Sequence, residues 1–355
     1  MKAMKLVLSD GKVFDGFAYG AAGTAVGEVI ATSADYAKAL TDPASFGQLV
    51  APTFPLVGNV GVVAEDAESR RGEPWAAGLI VREASPMASN HRTSETLPSY
   101  LERHGVVAIA GVDTRALTKH LRKSGPQYGA MGAEPVEALL RLAREAAEKA
   151  LDPVGQVTAK EPYAFAEAKA DGSAGHVVVL DLGVARSHLR GLAEAGFRVT
   201  VVPATTGADA ILALSPSGLF LSNGPGKPTG LGAVVETVRA LLGKVPVVGV
   251  GLGHQLLALA LGGESRPVPT PRRGQNQPVV ELLSRKVAIV PQAQGHFVEK
   301  ASLEGRATVT HLFLDDDRVA ALEAKELAAF SVQFQPDGEL FQRFASLVTA
   351  GQEAS

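Results

Sequence analysis

With 355 residues, 46% of them hydrophobic and 20% charged, the chain holds enough apolar material for two or three domains with cores of their own. A net charge of −3 with no long basic block argues against nucleic-acid and membrane-surface partners. There is no cysteine, which excludes disulfides, thiolate metal sites and thiol nucleophiles together.

Residues 1–150 read as an α+β domain. Lys5–Leu8 and Val13–Ala18 flank Asp10-Gly11, a strong hairpin turn signal. Further short strands are expected near Val26–Ala31 and Ala77–Val81, and Pro52, Pro55, Gly58 and Gly61 mark loops between them. Thr96 is placed to cap a helix over Thr96–His104, and Asp113-Thr114 opens another that carries Leu117 and Leu121 at helical spacing. Residues 134–150 form a charged, Ala-rich helix, and 151–174, with Pro162 and Gly172, read as a linker. No apolar run is long enough to span a bilayer. MKAMKLVLSDGK is too poor in apolar residues for a signal peptide, so a cytoplasmic location is expected.

From residue 175 to 355 the pattern changes to strands alternating with helices. His176–Leu182, Arg198–Val202, Gly218–Leu221 and Val245–Val250 read as buried strands, with helices at Ser187–Ala195, Asp209–Ala213, Leu231–Leu242 and Gln255–Leu261. This alternation predicts a doubly wound, mostly parallel sheet with its ligand crevice at the carboxyl ends of the strands. Beyond residue 265 strands recur at Val279–Leu283, Val287–Pro291, Ala307–Leu314, Val319–Leu322 and Ala329–Gln333.

Three stretches should converge on that crevice. The first is Gly249-Val250-Gly251-Leu252-Gly253, a strand-to-helix turn of the nucleophile-elbow kind. Such a turn aims backbone N–H groups and a helix start at the point where one side chain projects. Here that side chain is missing, because the tip is Gly251. The second is Ser222-Asn223-Gly224-Pro225-Gly226, whose glycines can offer N–H groups to an oxyanion. The third is Phe330–Asp337, read as a strand ending at Pro336. Any one of these alone reads as a tight turn of an ordinary α/β domain.

Together they resemble the small, glutamine-amidotransferase subunit of carbamoyl phosphate synthetase, over nearly the whole chain. LSNGPGKP (221–228), GVGLGHQLLALALGG (249–263), GQNQPV (274–279) and FSVQFQPD (330–337) look like that subunit's amidotransferase motifs. GEVIATSADY (27–36), LTDP (40–43), GNVG (58–61), ASNHR (88–92), VVAIAGVDTRALTKHLR (106–122) and YGAMG (128–132) look like its own N-terminal domain, which other class I amidotransferases lack. The resemblance implies a flavodoxin-like amidotransferase domain over 175–355 and a cytoplasmic place in arginine and pyrimidine biosynthesis. It also implies a partner, the large synthetase subunit, which receives ammonia released from glutamine by a Cys–His–Glu triad. No metal or other cofactor is implied.

The triad positions hold Gly251, Gln335 and Asp337 in this chain. A carboxamide neither gains nor loses a proton near neutral pH, and a covalent amidase needs a nucleophile beside a base. The resemblance assigns glutamine contacts to Gly224, Gly226, Leu252, Gln255 and Gly295, with Gly224 and Leu252 at the oxyanion-hole positions. Other contact positions depart from the family pattern: Ala44 for serine, Ala293 for asparagine, His296 for phenylalanine and, next to them, Lys227 for aspartate. The leading expectation is a small subunit that has lost glutamine hydrolysis and persists as a structural or regulatory partner of an ammonia-using large subunit. One alternative is a working glutaminase with a displaced base, for which His296 is the one new candidate. Another is a free-standing sensor of glutamine or a related small molecule. His254, at the start of the elbow helix, reads as structural, and Asp315-Asp316-Asp317 reads as a solvated turn.

Overall fold

The computed structural model describes residues 2–149, 152–165 and 173–353. They form two compact units, Met1–Leu151 and Asp152–Ser355.

The first unit is built on a closed barrel. Around it run the strands Ala3–Leu8, Val13–Gly20, Val107–Ala110, Gly78–Ile80, Gln48–Pro52, Ala25–Thr32 and Gln127–Gly132, the last pairing back to the first. The pleat sorts side chains to two faces. Leu6 and Leu8 join Met4, Phe14, Leu49, Ile80 and Ile109 in one cluster, while Val7, between them in sequence, packs with Ala130, Leu139 and Ala143 under the helix Val136–Glu148. The Asp10-Gly11 turn forms as expected, with Gly11 at φ 93° and Val7 paired to Val13. Thr96 caps Leu97–Arg103, and the Asp113 carboxylate accepts the Ala116 N–H at 2.9 Å to cap Thr114–Ser124.

Three barrel strands were not legible in the sequence. Gln48–Pro52 lay in a segment read as loop because of its prolines, yet Pro52 stands at the strand's last position. Val107–Ala110 is four buried residues with no alternation to betray it. Gln127–Gly132 contains glycines, and Gly129 is there for packing: a Cβ on it would lie 2.7 Å from Val29 Cγ2.

The second unit holds a ten-stranded sheet. Its strands lie in the order Tyr163–Phe165, Arg198–Pro203, His176–Asp181, Gly218–Leu221, Val247–Val250, Ala329–Val332, Val319–Ala324, Thr308–Phe313, Ser265–Glu281 and Val287–Val298. From Arg198–Pro203 to Ala329–Val332 the five neighbours run parallel, and chain order reverses at His176–Asp181, the switch point of a flavodoxin-like sheet. Both faces are covered. Val178 and Leu180 pack with Val235, Val238 and Leu256 on one side, and Val177 and Val179 pack with Leu192, Phe341 and Phe344 on the other. Hence these strands read as unbroken apolar runs.

Several boundaries differ from the sequence reading. Residues 151–174 are more than a linker. Asp152 accepts the Gly155 N–H at 3.0 Å and caps a short helix, Pro153–Val157, and Tyr163–Phe165 adds an antiparallel edge strand; 166–172 lie outside the described residues. The elbow strand starts at Val247, after Pro246, and the elbow helix begins at Leu252, directly at the turn, rather than at Gln255. The strand read as running to Pro336 ends at Val332. Beyond it, Gln333 N–H donates to Ala320 O at 2.8 Å and Gln335 N–H to Pro291 O at 2.9 Å, so the chain leaves the parallel ladder. The strands expected at Val279 and Val287 are parts of one long hairpin, Ser265–Glu281 with Val287–Val298, whose register shifts blur any period-two pattern. The closing helix Gly338–Glu353 was not anticipated.

Candidate functional site

The elbow stands between two parallel neighbours. Val247–Val250 pairs with Gly218–Leu221 on one side and Ala329–Val332 on the other, so the loops after all three strands leave from the same edge. The chain then turns through Gly251 at φ 58°, ψ −109°, a conformation that disfavours any residue with a Cβ. Gly251 N–H donates to Val332 O at 2.9 Å and Gly253 N–H to Ser222 O at 3.0 Å, which stitches the three loops together.

The elbow's glycines have different reasons to be there. A Cβ on Gly249 would sit 2.5 Å from Gly253 O, and one on Gly253 would sit 2.2 Å from Leu221 O; both are excluded by backbone. A Cβ on Gly251 would meet nothing closer than Asn223 Cβ at 3.5 Å, an ordinary contact. The tip of the elbow therefore has room for a side chain and carries none.

Donors remain at the tip. A helix start leaves its first N–H groups without intrahelical acceptors. Among the described residues the Leu252 N–H has no acceptor, nor does that of Gly224 across the crevice. The loop holding Gly224 is pinned: Ser222 Oγ accepts the Leu182 N–H at 2.9 Å and donates to Asn223 O at 2.8 Å, and Asn223 Oδ1 accepts the Ala185 N–H at 3.0 Å. Gly224 and Gly226 also answer packing needs, since a Cβ would lie 2.0 Å from Leu182 O at the first and 2.5 Å from Pro153 Cγ at the second.

Gln255, one turn into the elbow helix, is 5% exposed. Its amide group donates to Gln333 Oε1 at 2.8 Å and to His296 O at 3.1 Å. Both hydrogens are thus spent tying the helix to Val287–Val298 and to the residue just past Ala329–Val332, and the Oε1 is what it can offer a ligand. Gln333 was missed by the sequence reading; the available signal was an amide inside an otherwise apolar strand run. Gly295 and His296 lie in Val287–Val298, and a Cβ on Gly295 would meet nothing within 4 Å, so this backbone is open to approach. Ala293 is exposed in the same strand. In the first unit Ala44 sits in the single turn Pro43–Ser45, its N–H held by Asp42 at 2.8 Å.

The remaining expected positions carry no acid–base pair. Gln335 is exposed and bonded through its backbone to Pro291 O. The Asp337 carboxylate accepts the Leu340 N–H at 3.2 Å, as a cap on the helix Gly338–Glu353. Its negative charge stabilises that helix start. Asp315–Asp317 forms a turn with Asp317 at φ 56°, and Asp316 pairs with Arg318 at 3.4 Å. Among the described residues no group of three or more His, Cys, Asp or Glu is placed to hold a metal ion, and no helix is long and apolar enough to cross a membrane.

His254 is wholly buried, with Nδ1 2.8 Å from Ser331 Oγ. Burial pushes its imidazole down to about 3, against the hydrogen bond to Ser331, so it is neutral at physiological pH and acts as a strut. The unfolded chain binds a proton here near pH 6.5 and the folded chain does not, so stability rises with pH in this window. The contribution is level above about pH 6.5 and falls by about 1.4 kcal/mol per pH unit below it, toward the folded value. Urea unfolding of the chain and of His254→Gln between pH 4.5 and 7.5 should show the gap between them narrowing with acid. A constant gap would rule out a neutral buried imidazole.

Residues 6–131 match the family "Carbamoyl-phosphate synthase small chain, CPSase domain", and residues 178–344 match "Glutamine amidotransferase class-I". The carbamoyl phosphate synthase small chain of Syntrophotalea carbinolica is 43% identical over 377 residues, 100% of each chain. The chain belongs to the carbamoyl phosphate synthase small-chain family. Small chains of Synechococcus sp. and Pseudomonas aeruginosa are each 41% identical, over 98% and 96% of this chain and 94% and 97% of theirs. Among solved structures, a glutamine amidotransferase from Thermotoga maritima aligns with 49% of this chain and 93% of its own at 16% identity and a TM-score of 0.35.

Three of the motifs read from sequence follow three neighbouring parallel strands. LSNGPGKP is the loop of Gly224 and Gly226, GVGLGHQLLALALGG is the elbow and its helix, and FSVQFQPD is the strand end followed by the Asp337 cap. The elbow and the Gly224 loop carry N–H groups that have no acceptor among the described residues. Gly251 offers no nucleophile and Gln335 no base.

Proposed function

We propose that this chain is a carbamoyl phosphate synthase small chain that does not hydrolyse glutamine and serves as a structural or regulatory partner of a large chain that draws on free ammonia. The observation that carries this reading is Gly251: the elbow backbone keeps its strained turn, yet the residue at its tip has no side chain to present. Gln335 supports it, because a carboxamide cannot relay a proton. Groups that act as a unit in covalent hydrolysis lose most of their effect when one is removed, so the deficit is several orders of magnitude in rate. The test is carbamoyl phosphate formation by the chain reconstituted with its large partner. Product is expected from ammonium and not from glutamine. Ammonia release from glutamine at a rate of at least about 1 s⁻¹, within the ordinary enzymatic range, would overturn the reading.

The unpartnered donors at Leu252 and Gly224 favour a second reading in which the crevice still binds glutamine, or a relative, without cleaving it. Calorimetry of the isolated chain with glutamine tests this directly: heat that saturates supports it, and no heat at millimolar ligand removes it.

A further inference from the structure

The chain enters the second unit at Asp152, and residues 152–159 then run against three loops. These loops follow the parallel strands His176–Asp181, Arg198–Pro203 and Gly218–Leu221, at the edge of the sheet from which the elbow also leaves. The Thr158 hydroxyl bridges the first two, donating to Asp181 O at 2.6 Å and accepting the Ala204 N–H at 2.9 Å. The next residue, Ala159, donates its N–H to Asp181 Oδ2 at 2.8 Å. The other oxygen of that carboxylate accepts the Gly183 and Val184 N–H groups at 2.9 and 2.8 Å. Asp181 is 5% exposed, and one of its oxygens folds the 181–184 turn while the other holds residue 159.

That turn carries the Gly224 loop. Leu182 N–H donates to Ser222 Oγ at 2.9 Å and Ala185 N–H to Asn223 Oδ1 at 3.0 Å. Leu182 O lies against the Gly224 backbone, 2.0 Å from where a Cβ would stand. Apolar contacts fasten the same pieces. Gly183 is a spacer, since a Cβ on it would lie 2.9 Å from both Val157 Cγ2 and Pro225 Cδ. Val154 is buried in one cluster with Leu182. Segment, turn and loop thus form one unbroken series of contacts that ends at the unpartnered Gly224 N–H.

We propose that residues 152–159 are a strap that sets the position of the Gly224 N–H donor in the crevice, with Thr158 and Asp181 as its positioning residues. Recognition of an oxygen needs its donor held to within about 0.5 Å. Gly224 and Gly226 leave their loop more backbone freedom than other residues would, so the restraint has to come from outside it. The strap supplies it through a hydroxyl and a carboxylate that act by way of Leu182. This role rests on the reading in which the crevice binds glutamine or a relative, because the donor needs a ligand to meet.

Amide hydrogen exchange of the full chain tests the strap without a ligand. Thr158→Val keeps the shape and removes the hydroxyl. Asp152→Ala, at an exposed position, removes the cap of the helix Pro153–Val157 and leaves the buried groups untouched. Each should raise exchange at Leu182 and Ala185 about tenfold, the scale of one lost hydrogen bond, with Gly251 and Gln333 N–H unchanged. Thr158→Ser should keep the parent rates. Unchanged exchange at Leu182 and Ala185, an equal rise at all four amides, or Thr158→Ser behaving as Thr158→Val would each overturn the proposal. Calorimetry with glutamine adds the functional readout: Thr158→Val should bind about tenfold more weakly and Thr158→Ser as the parent does. Full affinity in Thr158→Val would overturn the proposal. No heat with the parent would remove the ligand reading instead, and the exchange rates would still decide the strap.

Discussion

The double variant Gly251→Cys with Gln335→His is expected to hydrolyse glutamine at least about a thousandfold faster than the chain itself, the scale on which removal of nucleophile and base acts. The backbone is already bent for it. Gly251 holds φ 58°, and a Cβ there finds its nearest neighbour at 3.5 Å, so the thiol enters free space. The unpartnered N–H groups of Leu252 and Gly224 are the proposed donors to the developing oxyanion, and one such donor is worth roughly a hundredfold to a thousandfold in rate. The strained angle costs about 1 to 3 kcal/mol of stability once a Cβ is present. Gly251→Cys alone should be labelled by a thiol reagent yet turn over slowly, because Gln335 cannot take its proton. Ammonia release measured for the two variants and the parent separates these steps. A folded double variant with no gain would mean that the residues at positions 251 and 335 are not what sets the rate of glutamine hydrolysis in this chain.

Replacing Gly253 by Ala should unsettle the second unit more than replacing Gly251 by Ala, although the two glycines lie two residues apart. At Gly253 the new methyl would stand 2.2 Å from Leu221 O and 2.6 Å from Leu221 C, so a buried parallel strand must shift to admit it. Overpacking against backbone in a filled core costs about 3 kcal/mol, near the upper end for such changes. For a unit of this size that lowers the midpoint by about 10 °C. At Gly251 only the strained backbone angle is penalised, about 1 to 3 kcal/mol, with no atom to displace. Scanning calorimetry of the two variants measures the difference. Equal losses would mean that the elbow glycines are held by something other than the contacts described.

The second unit was readable because its central strands are short apolar runs between glycine-rich turns and helices, and a doubly wound sheet follows from that alternation. The first unit was readable only in part. Its hairpin and capped helices are local, signalled by Asp10-Gly11, Thr96 and Asp113, whereas the barrel closes through a strand with glycines and another ending in proline. The glycine strand pairs with residues more than a hundred positions away, as with Leu8 and Gly129, and the proline strand lies parallel between Ala25–Thr32 and Gly78–Ile80; no local signal announces either. The long hairpin was read short for a related reason, since its register shifts break the alternation.

For the candidate site, composition and residue identity alone settled which chemistry is absent. Without cysteine there is no thiol, and a carboxamide at position 335 moves no proton in any fold, because ionisation belongs to the functional group itself. The residue chemistry also placed N–H-rich glycine turns after two strands. Tertiary structure decided how those parts are used. Gly253 is required by a carbonyl 2.2 Å away and Gly251 is not; Gln255 spends both amide hydrogens on Gln333 and His296; Asp337 caps a helix. Steric exclusion and hydrogen-bond partnership are relations between atoms that meet only when distant segments pack, so they become visible in the folded chain.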